Sequence, residues 1–324
     1  MNYKPGDSFE VFTLQKAVSF FGNLQVWNCI LTNTELIFRI TIKKNDLFDY
    51  SIIPEQEFEI NGEKYTVKKK LGFGTYGCVH SLVREKDFKE YALKFYLHHD
   101  DGERELRYYT RLNGIPNILK IYQHFRYYDN YGIIMEKMEE DIYRKKLDFL
   151  SIIIISKNIL NTLAHMHERN IVHGDIKLQN ILLDKKGNAF LCDFSNSYRK
   201  GVEMQEIGTI WFRSPENSIP NKEAYFIDFG TDIWAFGICF LAMFNNGEIP
   251  TYFCQNNPNR LYERISDQNK INLEIDNIFK EYKSYAEHEF IVSFTKKLLI
   301  VDANNRITSK DALQLISPTH VEEL

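Results

Sequence analysis

The chain has 324 residues, of which 44% are hydrophobic and 26% are charged, and its formal net charge is -4 at pH 7. This length indicates two lobes or domains, and the acidic balance argues against a nucleic-acid-binding protein held by bulk positive charge. The apolar run at residues 152–155 is far too short to span a bilayer, and the N-terminus lacks the apolar core of a secretory signal. Five scattered cysteines without a C-x-x-C pair predict neither a zinc site nor disulfides, and favour a reducing, intracellular location, cytoplasmic or nuclear.

Residues 1–60 alternate apolar and polar side chains over short spans, such as 8–14 and 36–42. This pattern predicts a β-containing extension with one short helix and no catalytic motif. We expect the extension to pack on the lobe that follows; a separate binding module is the alternative.

An Asn-Gly pair at 61–62 separates two short strand-like runs and predicts a β-hairpin. The second strand leads into the stretch 71–79, which reads G-x-G-x-x-G-x-V from Gly72 to Val79. Glycine lets a backbone approach phosphate oxygens closely and direct its N–H groups toward them. Because another strand follows, and not a helix, the pattern favours a hairpin that covers phosphates over a dinucleotide-binding fold.

Lys94 stands inside the apolar strand-like run 91–96, where an ammonium group needs a partner unless it faces water from a strand edge. A helical run follows at 100–114 and closes with Gly-Ile-Pro-Asn. Strand-like runs at 118–127 and 131–135 then complete a small lobe with an expected five-stranded sheet.

An apolar stripe predicts a helix over 151–169, with Ser151 as its N-cap. The helix leads directly into residues 173–180, His-Gly-Asp-Ile-Lys-Leu-Gln-Asn, and Asp193-Phe194-Ser195 follows further on. Asp and Asn oxygens suit a divalent cation, and a lysine suits a phosphate. Singly, these residues are explained as a turn Asp, a surface Lys and a capping Asn; in combination they indicate phosphoryl transfer.

Together these motifs resemble a eukaryotic-type protein kinase of the Ser/Thr class over about residues 65–317. The resemblance implies that Asp175 takes the proton of the acceptor hydroxyl, that Lys177 neutralises the γ-phosphate, and that Asn180 and Asp193 hold Mg2+. It implies contacts with ATP at Leu71, Gly72, Phe73, Gly74, Thr75, Tyr76, Gly77, Val79, Ala92, Lys94, Glu105, Glu136 and Met138.

The resemblance also implies a glutamate that pairs with Lys94. Its distance from residues 116–118 favours Glu105, with Glu103 as the alternative on another face of the helix. Within residues 208–216, Thr209 is expected to contact the catalytic Asp and Lys and to help position the substrate. His173 is expected to be structural and to pack against the Asp193-Phe194 turn.

Further resemblance lies in the later part of the chain. Asp232 stands where the family has an aspartate that braces the catalytic loop, and Arg306 where it has an arginine that pairs with Glu216.

Two positions depart from the family pattern. Gly174 replaces the Arg of His-Arg-Asp, which commonly pairs with a phosphate on the activation segment, so activity is expected not to depend on that switch. Ser195 replaces the Gly of Asp-Phe-Gly and restricts the backbone there. A divergent viral or protist kinase fits this combination.

We therefore expect an α+β, bilobal protein-kinase fold with a β-rich N-lobe at 61–136, a mostly helical C-lobe at 137–324 and the extension at 1–60. The expected activity is ATP- and Mg2+-dependent phosphorylation of Ser/Thr in a protein substrate, with no nucleic-acid or membrane partner and the oligomeric state open. A pseudokinase scaffold that binds nucleotide is the alternative, supported by Gly174 and Ser195. An enzyme acting on small molecules is disfavoured by the segment 208–216.

Overall fold

The computed structural model describes most of the chain from residue 56 onward and, before it, the backbone of four strands. The described residues are 12–21, 24–31, 37–43, 46–52, 56–74, 76–127, 130–205, 207–283 and 286–316. The strand expected at 8–14 lies outside them up to residue 11, as do Thr75 and the C-terminal tail from residue 317.

The chain divides into two compact units. Unit 1 comprises Met1–Tyr109 and Lys120–Lys137, and unit 2 comprises Thr110–Leu119 and Met138–Leu324. Residues 110–119 join unit 2, and not the N-lobe as the sequence suggested, because their backbone pairs with a strand of unit 2. Leu191 N donates to Asn117 O at 2.9 Å, and Ile118 forms a parallel bridge with Leu191.

The described part of the extension is a four-stranded antiparallel sheet in unit 1. Its strands, in spatial as in chain order, are β1 (Phe12–Phe21), β2 (Leu24–Leu31), β3 (Ile37–Lys43) and β4 (Asp46–Ile52). Strand β4 lies against the next sheet, at β6 and β7. The expected short helix is not among the described elements of the extension.

In the part of unit 1 that the structure describes, the second sheet has six antiparallel strands, one more than the five expected. They are β5 (Glu57–Ile60), β6 (Glu63–Phe73), β7 (Gly77–Arg84), β8 (Glu90–Tyr96), β9 (Ile121–Tyr127) and β10 (Asn130–Glu136), in the order β5-β6-β7-β8-β10-β9. The additional strand is β5, which pairs with β6 through the turn at Asn61 and Gly62. Both turn residues have positive φ, 51° and 78°, as a type I′ hairpin turn requires.

Helix α1 (His99–Arg111) follows β8 after a two-residue connection. Asp100 and Asp101 occupy its first turn, where acidic side chains complement the helix dipole. A Cβ at Gly102 would lie 2.6 Å from the Cβ of Tyr131, so this glycine allows the helix to approach β10 closely. The close approach buries Glu105 on the inner face of α1.

Unit 2 is mostly helical around one buried helix. Its helices are α2 (Phe149–Glu168), α3 (Phe229–Phe244), α4 (Pro258–Ile265), α5 (Gln268–Ile278), α6 (His288–Leu298) and α7 (Ser309–Leu315). From Thr231 to Phe244, every residue of α3 is buried. Helix α2 is long and apolar enough to cross a membrane by length and composition, although 56% of its most apolar window is buried inside the structure, as in a core helix.

Among the described residues of unit 2, seven short strands lie in the loops. They are β11 (Glu140–Asp141), β12 (Ile171–Val172), β13 (Ile181–Leu183), β14 (Ala189–Leu191), β15 (Tyr198–Arg199), β16 (Glu203–Met204) and β17 (Tyr225–Phe226). They form the ladders β11-β13-β14, β12-β15 and β16-β17. The stretch 173–180 therefore connects β12 to β13.

The N-cap of α2 is Asp148, and the prediction of Ser151 was wrong. The Asp148 carboxylate accepts a hydrogen bond from Ser151 N at 2.7 Å, and this bond, the largest cause, lowers the pKa of Asp148. Asp148 has the extended backbone of a cap, whereas Ser151 already lies inside the helix.

We expect Asp148→Ala to lower the free energy of unfolding by about 1 kcal/mol, because a first-turn N–H loses its acceptor. The pKa of Asp148 is lower in the folded protein than in the unfolded one, so its negative charge stabilises the fold at pH values above the ordinary carboxyl range. This stabilisation is lost as the pH falls through the folded-state pKa. Urea unfolding of both proteins at several pH values measures the difference. Asp148→Asn, which keeps the acceptor, is the control; equal losses in both variants would contradict the capping role.

Candidate active site

Lys94 of β8 is paired with a buried glutamate of α1. Its Nζ lies 2.6 Å from Glu105 Oε2, and the Tyr96 hydroxyl donates to the same oxygen at 2.7 Å. Only 12% of the Lys94 side chain and none of the Glu105 side chain is exposed. The lysine is therefore not a water-facing edge residue, and its partner is Glu105, not Glu103.

The glycine-rich stretch forms the hairpin between β6 and β7, in which Gly74 N donates to Gly77 O at 2.9 Å. A Cβ at Gly77 would lie 2.3 Å from Phe95 O, so Gly77 is needed for β7 to pair closely with β8. At Gly72 and Gly74, by contrast, a Cβ would meet no atom of the described chain within 4 Å. Packing within this part of the chain does not explain these two glycines.

Thr75 aside, which lies outside the described residues, the other residues predicted to contact ATP lie in or beside the same sheet, apart from Met138, which is buried in unit 2. Val79 stands opposite Lys94, and Ala92 opposite Met135, in the strand register. Glu136 N donates to Lys120 O at 2.9 Å. Leu71 and Phe73 are exposed, and Tyr76 is half-buried.

In unit 2, the loop after β12 is fixed by the buried carboxylate of Asp232 in α3. Its two oxygens accept the backbone N–H groups of His173 at 2.8 Å and of Gly174 at 2.9 Å. His167 lies at the end of α2, and its Nε2 is hydrogen-bonded to Asp232 Oδ2 at 3.0 Å. His167 was not predicted from the sequence, although its position six residues before His173, in the last turn of α2, could have indicated it.

The same loop holds Asp175 in a dense hydrogen-bond network. Thr209 donates to Asp175 Oδ1 from its backbone N at 2.9 Å and from its hydroxyl at 2.7 Å. Lys177 Nζ lies 2.6 Å from Asp175 Oδ2 and 3.3 Å from Thr209 Oγ1. These contacts unite the three residues that sequence reasoning placed in catalysis and substrate positioning.

Asn180 and Asp193 lie at adjoining ends of the β13-β14 hairpin, where Cys192 N donates to Asn180 O at 3.0 Å. Asn180 Nδ2 donates to Asp175 O at 2.8 Å, so the amide oxygen of Asn180 points away from Asp175 O. Ser195 Oγ donates to Asp193 Oδ1 at 2.8 Å. An amide oxygen and a carboxylate are hard donors that fit Mg2+. The described residues hold no group of three or more His, Cys, Asp or Glu side chains that could bind a metal, so this pair would need further ligands from phosphates or water.

The turn after β14 is held by the residues around Asp193. Phe194 is fully buried, with its ring centroid 5.1 Å from that of His173, and His173 Nε2 lies 3.0 Å from Cys192 O. These contacts confirm the structural role expected for His173. Asp193 has the left-handed conformation, with φ 64° and ψ 75°.

Residues 208–216 are anchored by a largely buried ion pair. Arg306 Nη1 and Nη2 lie 2.8 Å and 3.0 Å from the two carboxylate oxygens of Glu216, as predicted. Arg306 Nη1 also donates to Gly230 O at 2.7 Å, and this bond ties the pair to α3. Arg213, which sequence reasoning did not single out, donates to Gly208 O at 3.1 Å.

The fold and these clusters define a protein kinase domain. The protein kinase domain family model matches residues 65–316, which is most of the chain. The chain therefore belongs to this family, with its β-rich N-lobe and mostly helical C-lobe.

Two curated relatives show how far the similarity extends. The chain is 27% identical over 227 residues to a serine/threonine-protein kinase, PKH3, of Eremothecium gossypii, a match that covers 62% of this chain and 30% of the relative. It is 29% identical over 227 residues to serine/threonine-protein kinase 4 homolog A of Dictyostelium discoideum, covering 64% of this chain and 48% of that protein. The match thus spans half or less of each relative's length.

A double-mutant cycle tests the Lys94–Glu105 pair. We expect a coupling of about 1–3 kcal/mol in the free energy of unfolding between Lys94→Met and Glu105→Gln, because either change alone leaves a partly buried charge or its hydrogen-bonding partner uncompensated. Urea unfolding of the four proteins measures it. Glu103→Gln, on the same helix, is the matched control and should add to Lys94→Met without coupling. Coupling to Glu103 but not to Glu105 would overturn the assignment.

Proposed function

We propose that this chain is an ATP- and Mg2+-dependent protein kinase that transfers the γ-phosphate to serine or threonine hydroxyls of a protein substrate. The observation that carries the proposal is the network in which Asp175 contacts both Lys177 and Thr209. Phosphoryl transfer depends mainly on positioning and charge neutralisation, and this network supplies a proton acceptor beside a fixed cation.

In the proposed reaction, the acceptor hydroxyl oxygen forms a bond to the γ-phosphorus, and the bond from that phosphorus to the β–γ bridging oxygen breaks. ADP leaves with the electron pair of the broken bond, and the hydroxyl proton passes to a carboxylate oxygen of Asp175. Lys177 stabilises the negative charge on the transferred group. Thr209 holds the Asp175 carboxylate in place through two hydrogen bonds to Oδ1.

The metal would be held by Asn180 and Asp193. When bound, Mg2+ neutralises phosphate charge and orients the phosphates. The chain contributes the orientation of the ligands: Asp175 O fixes the Asn180 amide, and the Ser195 hydroxyl fixes one oxygen of Asp193.

The nucleotide phosphates would be bound in unit 1 by Lys94 and by the glycine-rich hairpin. Glu105 holds the Lys94 ammonium in one position. The open space beside Gly72 and Gly74 supports close approach of a phosphate to the backbone there. In the same proposal, the backbone of Glu136 and Met138 binds the adenine.

The preference for serine and threonine is supported by two observations. Lys177 and Thr209 both contact Asp175, which is the arrangement implied by the resemblance to Ser/Thr kinases. Both relatives described above are named as serine/threonine-protein kinases. We also propose a reducing compartment, cytoplasmic or nuclear, because the five cysteines of the sequence are scattered and include no C-x-x-C pair.

The rival is a pseudokinase scaffold that binds nucleotide without turnover. Its support comes from the two departures from the family pattern, Gly174 and Ser195. Against it, Lys94, Asp175 and Lys177 have the partners that catalysis requires, and Ser195 donates to Asp193 and does not displace it. Turnover decides between the two proposals.

We expect Asp175→Asn to lower the rate of phosphate transfer by about 100- to 10,000-fold, because the substituted amide cannot take the hydroxyl proton. The purified protein is incubated with labelled ATP, Mg2+ and a mixed protein substrate, and the phosphorylated residues are identified. Asp184→Asn, in the turn of the same β13-β14 hairpin, is the control and should retain the wild-type rate. Phosphotyrosine alone would refute the Ser/Thr proposal, and tight ATP binding without turnover in the wild type would favour the scaffold.

We expect Asn180→Ala to raise about tenfold the Mg2+ concentration that gives the half-maximal rate, because one of the protein ligands is lost. The rate is measured against free Mg2+ at constant ATP, and metal binding is measured separately by titration with Mn2+. Asn188→Ala is the control, since Asn188 contacts Asp184 in the hairpin turn. An unchanged Mg2+ dependence and an unchanged Mn2+ affinity would remove Asn180 from the metal site.

A further inference from the structure

A tyrosine with no part in the reaction proposed above lies beside the Lys94–Glu105 pair. Tyr96 follows Lys94 by two residues in β8 and is fully buried. Residues two apart in a strand share one face of the sheet, so the two side chains are neighbours. The Lys94 Nζ lies 5.2 Å from the centroid of the Tyr96 ring, within the range of a cation–π contact. The ring therefore contacts the ammonium group directly.

The Tyr96 hydroxyl contacts the other member of the pair. It donates to Glu105 Oε2 at 2.7 Å, and the Lys94 ammonium lies 2.6 Å from the same oxygen. One carboxylate oxygen of α1 is therefore held by two donors that both belong to β8. Because Glu105 is fully buried, water is not available to replace a donor that is lost.

Helix α1 lies close to the sheet on the face that carries Glu105. Gly102 precedes Glu105 by three residues, a spacing that places both on one face of a helix. A Cβ at Gly102 would lie 2.6 Å from Tyr131 Cβ, and Tyr131 stands opposite Tyr96 in the strand register. The helix thus meets β10 at Gly102 and β8 at Glu105.

Tyr96 is itself held by the middle of the sheet. Strand β8 has β7 on one edge and β10 on the other. In the register, Tyr96 stands between Gly77 and Tyr131. A buried ring on a central strand offers a hydroxyl in a fixed position, whereas a lysine places its ammonium group at the end of a flexible stem. The hydroxyl can therefore define where the Glu105 carboxylate lies, and the ammonium group alone cannot.

We propose that Tyr96 is a positioning residue for phosphate binding: its hydroxyl fixes Glu105, and Glu105 in turn holds the Lys94 ammonium where the nucleotide phosphates bind. This inference rests on the proposed kinase function. The effect of Tyr96 on the nucleotide passes through Glu105 and Lys94. Without the hydroxyl, Glu105 Oε2 lacks a donor that water cannot replace, so the carboxylate turns and the ammonium group moves with it.

The first test compares Tyr96→Phe with Tyr65→Phe. Tyr65 is a buried tyrosine of the same sheet, and its hydroxyl donates to Glu63 Oε2 at 2.8 Å. Each change thus removes one hydrogen bond from a tyrosine to a carboxylate and keeps the ring. We expect Tyr96→Phe to weaken the binding of AMP-PNP with Mg2+ about fivefold, the effect of one hydrogen bond. Adenosine binding should not change, because Lys94 holds phosphates and not the adenine. Tyr65→Phe should bind both probes as the wild type does.

Turnover and hydrogen exchange give two further readouts. We expect kcat to fall about tenfold in Tyr96→Phe, because a small displacement of a catalytic group slows transfer. The KM for the peptide substrate should not change, since the residues proposed to contact the acceptor lie in unit 2. Exchange over residues 99–111 should be faster in Tyr96→Phe than in Tyr65→Phe, with equal exchange in α3.

Wild-type affinity for AMP-PNP and wild-type kcat in Tyr96→Phe would overturn the inference and leave the kinase function standing. Equal losses in Tyr96→Phe and Tyr65→Phe would also overturn it, because they would show a general loss of stability. A wild type that binds AMP-PNP but transfers no phosphate would refute the proposed function, and the binding comparison would still decide the role of Tyr96. A wild type that does neither would refute both proposals.

A second substitution covers the case in which Tyr96→Phe does not fold. The residue at position 96 is then replaced by 4-fluorophenylalanine, which fills the space of the hydroxyl and cannot donate a hydrogen bond. The same weaker binding of AMP-PNP and the same unchanged binding of adenosine are expected. Wild-type binding of AMP-PNP in this variant would overturn the inference.

Discussion

The catalytic loop depends on one buried carboxylate. Asp232 is fully buried in the first turn of α3 and accepts two backbone N–H groups of the loop and the imidazole of His167. Burying a carboxylate is costly unless several donors satisfy it. Asp232 therefore needs these three partners, and its charge-assisted hydrogen bonds in turn hold them in place. Because α3 is buried along almost its whole length, Asp232 anchors the loop to the core of unit 2. Asp175 follows two residues after His173 and is placed by this anchor.

The features that the sequence predicted well are those set by local chemistry. The Asn61-Gly62 hairpin follows from the φ values that its turn requires. The cost of burying an ammonium group alone predicted that Lys94 needs a partner, and the resemblance to a family implied that this partner is Glu105. The Arg306–Glu216 pair and the Thr209 contacts were predicted through the resemblance to a family.

The wrong predictions concern the choice between two possible helix-capping residues and the pairing of residues that are distant in sequence. Both Asp148 and Ser151 are residue types that cap helices, and only the backbone conformation shows that the helix begins after Asp148. The pairing of Asn117 and Ile118 with a strand of unit 2 depends on partners distant in sequence. His167 was missed for the same reason, since its partner Asp232 lies 65 residues away.

The glycines of the site fall into two groups with different physical causes. Gly77, Gly174 and Gly208 are each crowded by a backbone oxygen of the chain itself, which would lie 2.3–2.6 Å from an added Cβ, so packing alone requires them. Gly72 and Gly74 face open space, where packing would admit a side chain. For these two, the requirement must come from the backbone conformation or from something outside the chain, and a phosphate close to the backbone meets the second condition. The same residue type therefore supports a structural conclusion at Gly174 and a ligand-binding proposal at Gly72, and only its surroundings distinguish the two.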